Sequence, residues 1–304
     1  MGNIINILSR IITIISIIFL FFKLSQYFHE IPIFSCNIRG ILIIISSVLF
    51  CTSTIVVNAY IWKIILQGNK IYLSLKDAFK IVGRSQISKY LPGNVFQYLS
   101  RISLGRKAGI SSEVLIQSIG VETLLLALAA ASIGNIGLFF DKKAPVWLIE
   151  KIIMNRYELI LLFVLMIIII WFFSFSFYRP QLWIYSCIKC LKTGELVKSF
   201  SLCLWVFITY GFFISLLLNN LWGIETRLKW YQFSWGFSLA WFLGFITPGA
   251  PSGLGIRETV FYGLYHQEIH EGPLIGLVFI LRVITGLGDL LGFAVAYFLE
   301  SKKN

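Results

Sequence analysis

The sequence predicts an all-α polytopic membrane protein, with about six full transmembrane helices and two re-entrant, broken helical hairpins arranged as an inverted repeat. Three observations carry this prediction. Hydrophobic residues make up 58% of the 304 residues and charged residues only 13%, whereas a soluble domain usually carries about 25% charged residues. Apolar runs of about 20 residues recur along the chain, as a membrane-spanning helix requires. Two Pro-Gly pairs interrupt otherwise helical stretches.

The six predicted spans are defined by apolar runs with short polar connections. The chain is expected to form a single membrane domain over residues 1–304, with repeat halves at 1–140 and 159–304 joined by a connecting segment at 141–158. The first run contains Arg10 and is followed by no small-residue cleavage site, so it predicts an uncleaved span and not a signal peptide. The predicted spans are residues 4–22, 41–66, 114–140, 159–178, 200–222 and 273–299.

The first broken segment, residues 73–107, is too rich in charge to cross lipid as a plain span. Pro92 and Gly93 split it, because proline lacks an N–H and glycine is costly in a helix. The pattern predicts a helix, a break and a second helix that enter the membrane part-way and return. An amphipathic hairpin lying on the cytoplasmic surface is the alternative.

The second broken segment follows an apolar half-helix at residues 231–246 and continues into residues 256–265. It contains Pro248, Gly249, Gly253 and Gly255, and a charged pair, Arg257 and Glu258, comes directly after the glycines. Broken backbone at membrane depth must be covered by protein or line a wet cavity, because unpaired backbone groups cost several kcal/mol in hydrocarbon. Charge beside such a break is typical of a transport site.

The two halves share one register. In both halves an arginine lies nine residues after the proline, since 92 + 9 = 101 and 248 + 9 = 257. Small residues four apart in the last span of each half predict that these two helices pack closely on each other, although ordinary packing elsewhere in the bundle explains them equally well. Those residues are Ala127, Ala130, Ala131, Gly134, Gly288, Gly292 and Ala296.

The distribution of Lys and Arg predicts that both termini face the cytoplasm. The net charge of +12 comes largely from three basic regions that this orientation places on one side, namely residues 63–107, 179–198 and 302–303. Because these basic residues flank apolar runs, they favour membrane topology and contact with anionic lipid headgroups over nucleic-acid binding.

The sequence resembles the membrane-domain family named for lysylphosphatidylglycerol synthase, which includes the flippase half of the multiple peptide resistance factor. The resemblance covers nearly the whole chain, but its specific part is about two dozen residues. It lies in Lys89-Tyr90-Leu91-Pro92-Gly93 with Arg101, in Glu122, and in Pro248-Gly249 with Gly253-Leu254-Gly255-Ile256-Arg257-Glu258. Two positions depart from the family pattern: Ala250-Pro251-Ser252 interrupts the second glycine run, and Asn94 follows the first Pro-Gly. The resemblance implies a bacterial inner-membrane protein linked to translocation of phospholipids or polyprenyl lipids. The sequence ends at Asn304, without the soluble acyltransferase domain of the synthases, so aminoacyl transfer is not expected.

The candidate site combines the two breaks with the charges near them. Arginine suits a phosphate-bearing headgroup because its planar guanidinium binds phosphate oxygens through two hydrogen bonds. Glu122 and Arg282 lie at similar distances from their prolines, so they are candidates for an ion pair. Such pairs could act as proton-controlled switches or as static clamps. The candidate substrate-binding residues are Arg84, Lys89, Pro92, Gly93, Arg101, Glu122, Pro248, Gly249, Gly253, Gly255, Arg257, Glu258, Arg282 and Asp289.

These features favour a lipid flippase or transporter and not an enzyme. No nucleotide-binding loop, cofactor motif or catalytic cluster is present in the sequence, and His266 and His270 on a predicted loop are weak candidates for a metal site. Expected partners are membrane lipids with anionic or phosphate-bearing headgroups, and envelope-biosynthesis enzymes and a homo-oligomer stay open. The alternative functions are a non-catalytic membrane partner of an envelope glycosyltransferase and, with less support, a polyprenyl-phosphate enzyme.

Overall fold

The computed structural model describes residues 18, 21–22, 25–27, 29, 38–91, 95–140, 192–222, 226–247 and 250–301. These residues are helical apart from turns and short connections, and they contain no β-strand. The predicted span at 159–178, nearly all of the span at 4–22 and the dipeptides Pro92-Gly93 and Pro248-Gly249 lie outside the described residues.

Four long helices are long and apolar enough to cross a membrane, which confirms four of the predicted spans. Each extends a few residues beyond the apolar run that predicted it, because the run marks only the hydrocarbon core and a helix continues into the headgroup region. The four helices are α1 (Ile38–Gly68), α4 (Ser112–Phe140), α5 (Thr193–Trp222) and α8 (Glu271–Ser301).

Each broken segment forms two shorter helices around its break. A single-turn 3₁₀ helix, Ile87–Tyr90, precedes the first break, and another, Pro251–Gly253, follows the second. The first segment begins at Ser74, whose side chain accepts a hydrogen bond from the Asp77 N–H at 3.1 Å, as a helix N-cap does. The shorter helices are α2 (Leu75–Gln86), α3 (Phe96–Lys107), α6 (Trp230–Ile246) and α7 (Ile256–Tyr265).

Helix α2 is packed within the bundle, between α1 and α8. Ala78 and Val82 on this helix are fully buried, and the Cα of Gly83 lies so close to α8 that an added Cβ would be 2.9 Å from the Cβ of Ala296. Helix α2 is therefore part of the packed helical bundle.

The small residues of the two final spans do pack closely, but on other partners than predicted. Gly288 and Gly292 of α8 face Cys51 and Ile55 of α1. Gly134 of α4 lies against the backbone of Leu239 in α6, where an added Cβ would meet Leu239 atoms at 3.3 Å. The predicted packing of α4 on α8 is therefore wrong. The final span of each half packs instead on the helix that precedes the break in the other half, α4 on α6 and α8 on α2.

Candidate functional site

A cavity of about 470 Å³ lies where the two broken segments meet. The 3₁₀ helix before the first break contacts the 3₁₀ helix after the second. Side chains from all four long helices and from α2, α3, α6 and α7 complete the cavity wall. A volume of this size is typical of a small-molecule or headgroup site.

Seven charged side chains of the described residues line the cavity, within an otherwise largely apolar bundle. Four are cations and three are acids, so the formal net charge is 4 − 3 = +1. All seven are candidates that the sequence predicted: Lys89, Arg101, Arg257 and Arg282 with Glu122, Glu258 and Asp289.

Arg101 and Glu122 form a buried ion pair between α3 and α4. Their side chains are only 8% and 4% exposed, and the Arg101 guanidinium lies over the Trp62 ring of α1 at 5.5 Å from its centroid. Pairing in so little solvent neutralises both charges, and removing one partner would leave the other buried alone. The Glu122 carboxylate thus holds Arg101 in place.

Lys89 and Asp289 form a second ion pair, between the first break and α8. The Lys89 ammonium lies 2.7 Å from Asp289 Oδ2, and Tyr90 donates its hydroxyl to the same oxygen at 2.5 Å. Lys89 also donates to the Gln86 side-chain oxygen at 3.3 Å. Asp289 therefore joins the residues just before the break to a long helix of the other half.

Glu258 ties the second break to α8. One of its oxygens accepts the Gly255 N–H at 2.7 Å, and the other lies 3.5 Å from Arg282 Nη1. Arg282 in turn donates to the Ser252 carbonyl at 3.4 Å. Both side chains are therefore engaged in fixing the backbone that follows the break.

Arg257 is the exception among the four cations. Its guanidinium lies over the Trp241 ring at 5.2 Å from the centroid, but it forms no ion pair or hydrogen bond with any described residue, and its Nε is buried without a partner. A buried cation without a counter-charge is costly. Within the described part of the chain, Arg257 is therefore a positive charge on the cavity wall without a paired carboxylate, which is suited to an anion.

The glycines of the second break make room for this arginine. Gly253 and Gly255 adopt φ values of +67° and +84°, a region that side-chain-bearing residues rarely occupy. A Cβ on Gly253 would lie 2.5 Å from Arg257 Nε, and one on Gly244 would lie 2.5 Å from Arg257 Cγ. These two glycines, one on each side of the break, leave the space that the arginine side chain fills.

Two sequence-based interpretations need correction. Glu122 does not pair with Arg282, because α3 brings Arg101 to Glu122 and α7 brings Glu258 to Arg282. Arg84 does not line the cavity. It lies instead beside Glu300, near the end of α8, and forms an ion pair with it. Pro92, Gly93, Pro248 and Gly249 lie outside the described residues.

Among the uncharged wall residues that sequence reasoning missed are Asn58 of α1 and Trp241 of α6. Asn58 is the only side-chain amide in the apolar run at residues 41–66. Polar side chains inside a span usually face the bundle interior or a cavity, so this isolated amide was a usable signal. Trp241 could not be recognised from the sequence, because nine tryptophans occur in the chain and most are expected at the membrane interface.

The sequence matches no known protein family and no curated protein. Among the described residues no three His, Cys, Asp or Glu side chains are grouped as a metal site would require. The function proposed below therefore depends on the geometry of the cavity and on the resemblance of the sequence motifs.

Proposed function

We propose that this protein is a bacterial inner-membrane lipid flippase or transporter that binds an anionic, phosphate-bearing headgroup in the central cavity. The observation that carries the proposal is Arg257, a cation on the cavity wall that forms no ion pair with any residue that the structure describes. A guanidinium in a low-dielectric site binds a phosphate oxygen pair strongly. The resemblance to the lysylphosphatidylglycerol synthase membrane domain points to the same class of substrate.

The cavity is an argument against the two alternative functions. A scaffold for an envelope glycosyltransferase needs a stable, packed interior and gains nothing from a buried free charge, which is a stability cost. An enzyme acting on polyprenyl phosphate needs paired catalytic acids, but Glu122, Glu258 and Asp289 are each engaged by a cation. A transporter has a direct use for a free buried charge, because its ligand supplies the counter-charge transiently.

The helix contacts support an inverted repeat, with α1–α4 corresponding to α5–α8. Helix α2 packs on α8 as α6 packs on α4, and α1 packs on α8 as α5 packs on α4. Within the halves, the contacts of α1 with α2, α2 with α3 and α3 with α4 recur as those of α5 with α6, α6 with α7 and α7 with α8. The two equivalent helices α1 and α5 pack on each other. Six spans and two re-entrant hairpins, with both termini cytoplasmic, account for this correspondence.

Lipid translocation in reconstituted vesicles tests the function. Unilamellar vesicles with and without the protein receive trace amounts of fluorescent lipids that carry anionic or zwitterionic headgroups, and a membrane-impermeant quencher reports the fraction in each leaflet over time. We expect the protein to accelerate exchange of the anionic lipids well above the protein-free rate and the zwitterionic lipid much less. Equal rates with and without protein, in the presence and absence of a proton gradient or membrane potential, would reject the transport proposal.

The topology has its own test. In a background without the native cysteines, Asn69→Cys after α1 and Gln267→Cys before α8 should react with an impermeant thiol reagent from opposite faces of the membrane. The inverted repeat predicts Asn69 on the cytoplasmic face and Gln267 on the outer face, because the turns that flank the first re-entrant hairpin lie on the opposite side from those that flank the second. Labelling of both sites from one face would contradict the inverted repeat.

A further inference from the structure

Asn58 lies well inside α1 and lines the cavity, and its carboxamide forms no hydrogen bond with any described residue. Its Oδ1 is also buried from solvent. An unmatched amide inside an apolar bundle loses about 1–3 kcal/mol of hydrogen bonding relative to water. Since nothing in the described structure uses it, a group that occupies the cavity is the natural partner.

Two further polar side chains on the cavity wall are half-buried and, like Asn58, lack a hydrogen-bonding partner among the described residues. Gln97 and Tyr98 of α3 line the cavity and make no side-chain hydrogen bond to a described residue. The threonines of the wall differ, because Thr54, Thr123 and Thr285 donate back to carbonyls of their own helices. The cavity therefore offers amide and phenol groups in addition to Arg257, the cation that is unpaired among the described residues.

The charge balance limits what the cavity can hold. Its formal charge of +1, four cations less three acids, is neutralised by a ligand with one negative charge. A phosphodiester carries one negative charge, whereas a phosphomonoester carries about 1.5 to 2 at neutral pH. The extra charge of a monoester would stay uncompensated in a low-dielectric site, where it is costly.

From these observations we infer that the headgroup is a phosphodiester whose substituent carries hydroxyl groups, with the phosphate at Arg257 and a hydroxyl on the Asn58 amide. Asn58 is then a specificity-determining residue. The inference rests on the proposed function, since it names the substrate class of the same cavity. An amide can both accept from and donate to a hydroxyl, so a polyol satisfies Asn58 where an alkyl substituent leaves it unpaired.

The experiment measures lipid binding to the purified protein in detergent by native mass spectrometry. The probes share their acyl chains and differ only in headgroup: phosphatidylglycerol and phosphatidylinositol carry hydroxyls on a phosphodiester, phosphatidylmethanol is a phosphodiester without hydroxyls, and phosphatidic acid is a phosphomonoester. The variant is Asn58→Leu. Its matched control is Asn135→Leu, since Asn135 is a half-buried amide of α4 that lies outside the cavity wall and donates to the Ala131 carbonyl.

We expect the wild-type protein to bind the two hydroxyl-bearing lipids about three- to tenfold more tightly than phosphatidylmethanol, the range for one neutral hydrogen bond. Asn58→Leu should remove that preference and leave phosphatidylmethanol binding unchanged, while Asn135→Leu keeps the preference. Phosphatidic acid should bind more weakly than phosphatidylglycerol.

Three results would overturn the inference and leave the proposed function standing. They are equal binding of phosphatidylmethanol and phosphatidylglycerol to the wild type, tighter binding of phosphatidic acid, and an equal loss of all lipids in Asn58→Leu. A wild-type protein that binds no anionic lipid above the level of phosphatidylcholine would instead reject the proposed function itself.

Discussion

Arg257→Gln is expected to weaken anionic lipid binding about ten- to hundredfold without lowering the thermal stability of the ligand-free protein. The guanidinium forms no ion pair or hydrogen bond with any described residue, so its removal breaks no ion pair and relieves a buried, uncompensated charge. The lost hydrogen bonds to a charged phosphate correspond to about 1.5–3 kcal/mol, or roughly ten- to hundredfold weaker binding. Lipid affinity by native mass spectrometry and unfolding temperature of the same preparation measure the two effects.

Two other arginines supply controls for this variant. Arg101→Gln should instead lower the thermal stability and leave anionic lipid binding largely intact. It leaves the buried Glu122 carboxylate without a partner, a change that typically costs about 3–5 kcal/mol of stability. Arg84→Gln should change neither property by much, because Arg84 lies outside the cavity wall and pairs with the half-exposed Glu300. Exposed and half-exposed pairs contribute about 1 kcal/mol or less.

Arg257→Lys separates charge from shape. Lysine keeps the positive charge but lacks the planar fork that binds two phosphate oxygens together, and it loses the stacking of the guanidinium on Trp241. We expect weaker binding than wild type and stronger binding than Arg257→Gln. A variant Arg257→Gln that binds and translocates lipid normally but unfolds at lower temperature would assign Arg257 a structural role and remove the main support for the transport proposal.

Sequence reasoning identified the charged residues of the cavity because each lies inside an apolar span or within one of the two broken segments. A charged side chain inside a span or beside a break is costly in lipid, so its position alone marks it as facing the protein interior. Asp289 and Arg282 in the last span, and Glu122 in the span of the first half, were found in this way.

The partners of those charges could not be predicted by counting residues. Glu122 and Arg282 lie at similar offsets from their prolines, yet each pairs within its own half, with Arg101 and Glu258. Pairing depends on the rotation of each helix about its axis and on which helices are neighbours. The same information was missing for α4 and α8, whose small residues indicated close packing but could not indicate on which partner.

In the proposed inverted repeat, the asymmetry between Arg101 and Arg257 originates in one position of α8. The prolines of the two halves are 248 − 92 = 156 residues apart, so Arg101 corresponds to Arg257 and Glu122 corresponds to position 122 + 156 = 278, which is Val278. Val278 is 8% exposed and lines the cavity. The first half thus supplies its arginine with a carboxylate, and the second half has an apolar side chain where that carboxylate would be.

Val278→Glu should therefore close the anion site by supplying Arg257 with a protein counter-charge. The formal charge of the cavity wall would fall from +1 to 4 − 4 = 0, and binding of a monoanionic lipid should weaken about ten- to hundredfold, as for loss of the charged hydrogen bond. Val278→Gln is the matched control, because glutamine has the same shape as glutamate without its charge. It should keep most of the lipid affinity.

The double variant Val278→Glu with Arg257→Gln completes a double-mutant cycle with the two single variants. If the new carboxylate pairs with Arg257, removing the arginine leaves it buried and alone, so the double variant should be less stable than the sum of the single changes by about 1 kcal/mol or more. Additive stabilities, together with unchanged lipid affinity in Val278→Glu, would mean that position 278 does not face Arg257. That result would contradict the half-to-half correspondence and the explanation of why only one of the two arginines is free to bind an anion.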